Sequence, residues 1–368
     1  MRPEYYIISD ELRDRLSEAV KPYKERISCD ELVACITDVY SVDPPIENEY
    51  KEKNLSPKET ARVIAFGISE TIRKILQDSP EGRALMDEIT NVYTGEGKDA
   101  CVIKNMPAKG EAPFILLALQ NLFGPGIKDI KPSISNIHFG GSHPHRDLRG
   151  TVPAILLHGM VVGKDETPTL IIDPEEVLDA AASIRCEELL KDKISCHRWE
   201  VRRELVDLLR GMRYPGGKAL LSEHIFENGK KAKELTIDGY VPLQDYPYDI
   251  SHLQFFNALH PSAMQSEVLR VIGAAIKQRK NYEGVVIQPD EMLILNNRLL
   301  LHGCGAEKEI TGSSRQLLRA YLRGDMREGA YCDVNASRPY NLDLTSPEPH
   351  ALRYAKHLGE AVRGKQRA

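Results

Sequence analysis

Between Ile134 and Leu322 the sequence breaks into short apolar runs bounded by turn residues. They are Ile134–Phe139, Val152–Val162, Thr169–Ile172, Thr236–Val241, Leu253–Phe256, Gly284–Gln288, Met292–Leu295 and Leu299–His302. Runs of this length, bounded by Gly, Pro, Asn and Asp, predict β-strands. Helical periodicity interrupts them at Pro174–Leu190, Trp199–Leu209 and Ser262–Gln278. Strands do not alternate regularly with helices, and neither G-x-G-x-x-G nor G-x-x-x-x-G-K occurs. That argues against a Rossmann or P-loop fold. The fold expected is mainly β with α decoration: a double-stranded β-helix, or jelly roll, with helical insertions.

The chain before this region reads differently. Ser9–Lys21 opens on Ser-Asp and carries Leu12, Leu16, Ala19 and Val20 at helical spacing, so a capped amphipathic helix is expected, stopped by Pro22. A second helix is expected over Cys29–Tyr40. A third opens at Ser56-Pro57 and runs through Ile64, Ile68, Ile72 and Leu76. Ala100–Pro107 reads as a strand and turn, and Pro113–Phe123 as an apolar helix. One domain is expected over 1–368, with a helical layer (1–95), a jelly-roll core (96–327) and a polar tail (328–368).

The net charge of −5 is spread without a basic stripe, so neither nucleic acid nor a membrane surface is an expected partner. No apolar run approaches 18 residues, and the first residues lack the apolar segment of a secretory signal. Seven cysteines occur without a C-x-x-C pair, which fits free thiols in a reducing cytoplasm. A homodimer is permitted but not required.

Three groups of residues carry the chemistry. In a strand, residues i and i+2 face one side, so His145 and Asp147 would present an imidazole and a carboxylate together. His143 shares that face and is a rival for His145. His302 ends a run that is apolar except at Asn296, Asn297 and Arg298. Two imidazoles and one carboxylate on one octahedral face are the ligand set of non-haem iron(II) oxygenases. Arg315 and Arg319, four apart, share a side in either helix or strand, and arginine suits two-point capture of a carboxylate. Singly, each group also has an ordinary reading: a solvated turn, a core histidine, two surface arginines.

Together, His145-Arg-Asp147, Asn297-Arg298 followed by Leu301-His302-Gly303, and Arg315-Gln-Leu-Leu-Arg319 resemble the iron(II)- and 2-oxoglutarate-dependent oxygenases of the taurine dioxygenase and clavaminate synthase type. The resemblance spans roughly residues 100–327. It implies His145, Asp147 and His302 as iron ligands, and Arg315 as the partner of the distal carboxylate of 2-oxoglutarate. It implies Thr169 as a hydroxyl donor to that carboxylate, with Thr167 as rival, and Arg319 beside co-substrate or substrate. The cofactors implied are Fe(II), 2-oxoglutarate and O2. The reaction implied is hydroxylation of an unactivated C–H in a small molecule, a free amino acid or derivative, with release of succinate and CO2.

For such a substrate, Arg319 or Arg146 would meet the carboxylate, and Glu166, Asp245 or Asp249 the amine. Gln254-Phe255-Phe256-Asn257 would line a wall. Two departures stand out: Cys304 follows His-Gly where the family usually has arginine, and Pro289-Asp290-Glu291 replaces a Gly-Asp. Three other readings remain: the same iron site ending in desaturation, cyclisation or epoxidation; a non-catalytic jelly-roll binding protein; and a zinc hydrolase, in which Arg315 has no role.

Overall fold

The computed structural model describes residues 3–29, 31–32, 57–95, 97–108, 110–123, 131–134, 146, 153–162, 166–184, 198–212, 219–225, 231–235, 268, 271–276, 278, 282–305 and 316–322. They form a mixed helix-and-sheet structure organised on two main sheets.

The larger sheet holds six strands: β1 (Glu4–Ile7), β2 (Ala100–Lys104), β3 (Lys131–Ile134), β4 (Ala154–Val161), β9 (Met292–Asn296) and β11 (Gln316–Leu322). Their order across the sheet is β1-β2-β9-β4-β11-β3, antiparallel except for β1 beside β2. The smaller sheet is antiparallel, in the order β10 (Leu301–Cys304), β5 (Thr169–Ile172), β8 (Glu283–Val285). A separate hairpin pairs β6 (Leu221–Ile225) with β7 (Lys231–Leu235).

Side-chain alternation assigns the faces. Cys101, Ile103, Ala154, Leu156, Met292, Ile294, Leu318 and Ala320 point outward from the larger sheet into one apolar cluster. Opposite them are α1 (Asp10–Lys24), α2 (Pro57–Asp78), α3 (Pro80–Thr94) and α4 (Ala112–Leu122), whose apolar faces join the same cluster. The intervening residues Val102, Ile155, Leu157, Leu293, Leu295, Leu317 and Tyr321 point the other way. They pack with Ile171 of β5 and Val285 of β8, so the two sheets face each other across a shared interior. Beyond the smaller sheet, Leu170, Ile172 and Leu301 pack on α5 (Pro174–Ser183), α6 (Arg198–Gly211) and the helical residues 271–276. Covered on both faces, β2, β4 and β9 read as almost unbroken apolar runs rather than alternating ones.

The helices follow their sequence signals closely. Ser9 caps α1, its hydroxyl accepting from the Leu12 N–H at 3.1 Å, and Leu12, Leu16 and Val20 are buried. The helix runs past Pro22 to Lys24, where the sequence predicted a stop. Pro22 deprives only the Glu18 carbonyl of its donor, in an exposed last turn where water can replace it. Ile64, Ile68, Ile72 and Leu76 are fully buried along α2, as their spacing requires. Ser79 caps α3, and Gly95 ends it in the left-handed conformation, φ 69°.

The strands show more departures. β10 extends beyond His302 to Cys304, so the histidine lies inside the strand rather than at its end. β3 stops where the expected Ile134–Phe139 strand begins, and 135–139 lie outside the described residues. The expected strands at 236–241 and 253–256, most of the helix over 262–278, the helix beyond residue 32 and the tail after 322 are also outside them. β1 and the β6–β7 hairpin had no sequence signal, because EYYI, LSEHI and KAKEL are too polar and exposed to stand out. No helix among the described residues is long and apolar enough to cross a membrane.

Candidate active site

The pairing of β5 with β10 decides which way His302 points. His302 stands opposite Ile171, and Cys304 opposite Thr169. Residues directly opposed in an antiparallel pair share a face, as do residues two apart along a strand. Ile171 belongs to the interior cluster, whereas its neighbours Leu170 and Ile172 pack outward with Leu301. His302 and Thr169 therefore both face the space between the sheets. They are 5% and 2% exposed. Thr167, the rival of Thr169, is buried as well.

Arg319 reaches the same space from the other side. It lies between Leu317 and Tyr321 on β11, both in the interior cluster, and pairs with Leu157 of β4, another member. Its guanidinium carbon sits 5.1 Å from the centre of the Tyr321 ring. That contact stabilises a cation by about 0.5–2 kcal/mol, depending on how dry the site is. Arg319 is half-buried.

The remaining ligand candidates, His145 and Asp147, lie outside the described residues, as do His143, Arg315, Asp245, Asp249 and the 254–257 segment. Between His145 and Asp147, Arg146 is described and is 1% exposed. That burial is opposite to the solvated surface position an Arg in a polar turn would take. Glu166 was a candidate partner for a substrate amine. It is exposed, with φ 45°, and so does not line the interior. Among the described residues no three His, Cys, Asp or Glu side chains cluster as a metal site.

The turn that delivers β10 holds Asn297-Arg298 of the motif and reads in the sequence as a polar interruption. Asn296, Asn297 and Arg298 are 1%, 0% and 5% exposed, and they carry the chain from one sheet to the other. The signal was three polar residues between two apolar runs, which is how a buried hydrogen-bonded turn reads in a sequence. Glu283 was missed. It pairs with Ile171 on the far side from His302, placing a carboxylate on the interior face of β8.

A second buried histidine shows what a structural one looks like here. His158 on β4 pairs with Leu318 and Met292, both on the outward, helix-covered face. Its Nδ1–H donates to the Gly159 carbonyl at 2.8 Å. Burial pushes its pKa down, against the opposing influence of the Gly159 and Pro107 carbonyls. It is held neutral, away from the interior that His302 faces.

Comparison with known proteins gives similarity in structure only. The chain is similar to solved non-haem iron oxygenases. An asparagine oxygenase in complex with Fe(II), 2S,3S-3-hydroxyasparagine and succinate matches with a TM-score of 0.47 and 12% identity, over 86% of this chain and 92% of that one. The non-heme iron oxygenase OrfP in complex with Fe matches with a TM-score of 0.47 and 11% identity, over 92% and 99%. OrfP in complex with Fe, succinate and (3S)-hydroxy-L-Arg matches with a TM-score of 0.45 and 13% identity, over 91% and 98%. No protein-family model matches the sequence. No curated protein matches it.

Proposed function

We propose that the chain is an iron(II)- and 2-oxoglutarate-dependent dioxygenase that hydroxylates a free amino acid or close derivative, releasing succinate and CO2. The observation that carries this reading is the convergence of His302, Thr169 and Arg319, chosen from sequence alone, on the interior between two sheets, the first two from the smaller sheet and Arg319 from the larger. We propose the two sheets as a double-stranded β-helix. In support, successive strands alternate between them: β8 lies in the smaller sheet, β9 in the larger, β10 in the smaller and β11 in the larger. The whole chain, 1–368, is proposed as one oxygenase domain, working in a reducing cytoplasm where its thiols stay reduced.

His145, Asp147 and His302 are the proposed iron ligands, a set that suits iron(II) and leaves three positions open. Bound there, iron(II) with 2-oxoglutarate and O2 supplies the oxidising power for attack on an unactivated C–H. The chain's own residues do the rest. Arg315 grips the distal carboxylate of 2-oxoglutarate at two points, and the Thr169 hydroxyl donates to the same carboxylate. Arg319, its guanidinium over Tyr321, offers a cation to the co-substrate or to a substrate carboxylate. The leucines and isoleucines between the sheets exclude water, which strengthens each of these charge contacts and holds the reacting C–H in place. With aspartate at 147 the proposed ligand set is complete, and hydroxylation is the outcome proposed.

The test is anaerobic addition of Fe(II) and 2-oxoglutarate to the metal-free protein. A weak visible charge-transfer band is expected, lost in His302→Ala. No band and no iron binding would remove the proposal.

A further inference from the structure

Residues 297–300 are the whole crossing from β9 in the larger sheet to β10 in the smaller. With so short a crossing, the direction in which the chain leaves β9 fixes where β10 starts. One side chain holds that direction. Asn296, the last residue of β9, is 1% exposed. Its Oδ1 accepts from the backbone N–H of Arg298 at 3.0 Å and of Leu299 at 3.2 Å. Its Nδ2 donates to the carbonyls of Val92 at 2.9 Å and Tyr93 at 3.3 Å. Those two carbonyls belong to the last turn of α3, which Gly95 closes.

The backbone repeats the same ties. The Asn296 N–H donates to the Asp99 carbonyl at 2.8 Å, and its carbonyl accepts from Leu299 at 3.2 Å and Leu300 at 3.0 Å. The Asn297 N–H donates to the Pro153 carbonyl, just before β4, at 2.9 Å. The amide is thus used in full: both hydrogens toward the helix end, both lone pairs toward the turn. No other side chain of this size does both. An ionised aspartate would set a carboxylate against two carbonyl oxygens, and leucine would remove all four hydrogen bonds from a buried place.

We propose that Asn296 is a positioning residue for His302. It ties the end of α3 to the crossing turn and so sets the position of β10, and with it the depth at which the imidazole stands between the sheets. This rests on the reading of His302 as an iron ligand. Metal–nitrogen bonds tolerate only about 0.2 Å of error, so a small shift of β10 registers in metal affinity before it registers in folding.

The experiment is anaerobic Fe(II) titration of the wild type, Asn296→Asp and Gly95→Ala, with His302→Ala as the lost-ligand reference. Each is measured at a temperature where circular dichroism shows it fully folded. The expected result is an Fe(II) Kd raised about tenfold or more in Asn296→Asp, the scale on which supporting residues act on metal sites. Gly95→Ala, which disturbs the helix end at φ 69° without touching the crossing, is expected to shift the Kd the same way by less. A folded Asn296→Asp that binds within about twofold of wild type overturns the proposal, on the same scale. If that variant does not fold, unchanged affinity in Gly95→Ala overturns it instead. A wild type that binds no Fe(II) defeats the iron reading itself. Iron bound equally well by wild type and variants defeats only the positioning role.

Discussion

At Gly159 on β4 the backbone of the segment linking β8 to β9 comes close to the strand, and Gly159→Ala should be costly out of proportion to one methyl group. A Cβ there would lie 2.0 Å from the Gln288 carbonyl oxygen, 2.6 Å from its carbon and 2.9 Å from the Ile287 carbonyl oxygen. All three are backbone atoms, so no side chain can swing aside. Ordinary contact begins near ~3.5 Å, and the 287–288 backbone would have to retreat by more than about 1 Å. That segment is tied down: the Gly159 N–H donates to the Glu291 carbonyl at 3.1 Å, and the Glu291 N–H to the Gln288 carbonyl at 2.9 Å. Forcing atoms into a packed core costs about 1–3 kcal/mol, and losing one buried hydrogen bond adds about 1 kcal/mol. The sum, about 2–4 kcal/mol, is a large share of the ~5–15 kcal/mol a domain commonly has. Urea unfolding followed by circular dichroism reads it as a lowered midpoint with unchanged slope. Gly97→Ala is the control: its Cβ would meet nothing closer than 3.5 Å, at an exposed position, and stability should hold within about 0.5 kcal/mol. Gly159→Ala matching that control would refute the close approach.

Two further outcomes follow from named groups. Burial lowers the pKa of His158, so below about pH 6.5 the unfolded chain binds a proton that the folded one refuses. Stability is then full above that pH and falls as the solution is acidified, by up to about 1.4 kcal/mol per pH unit for this one group. Denaturant unfolding of wild type and His158→Gln between pH 7.5 and 5.5 (roughly the span of an ordinary histidine titration) should show a shallower decline in the variant; parallel declines would contradict it. Arg315→Ala should raise the 2-oxoglutarate requirement at least about 30-fold, the loss expected when one partner of a dry charge pair is cut away, while Fe(II) binding stays as in wild type. An unaltered requirement would move the co-substrate site elsewhere.

What could be read from the sequence tracks what local physics controls. Ser9 and the Ile64–Leu76 ladder announced their helices because capping and 3.6-residue periodicity act over a few residues. The strands β4, β5 and β9 were visible as apolar runs because both their faces are covered. β1, β6 and β7 were not, since an exposed strand has no periodic apolar signature. Pro22 was overread: a proline stops a helix only where its missing bond matters. At the site, the motifs and the family resemblance picked out His302, Thr169 and Arg319, but only strand register shows that they face one interior, from two different sheets. Nothing local in the sequence encodes that register, nor the tie from Asn296 to a helix end some two hundred residues earlier. Glu166 is a candidate by residue type alone, and the structure finds it exposed.

The central claim is a reaction, and the most direct measurement is succinate release. The protein is incubated aerobically with Fe(II) and 2-oxoglutarate against a panel of free amino acids and small carboxylates. At least one amino acid or derivative should stimulate succinate formation, a product heavier by one oxygen should appear in equal amount, and His302→Ala should abolish both. Succinate that is never stimulated by any amino acid or carboxylate, or that persists undiminished in His302→Ala, would contradict it.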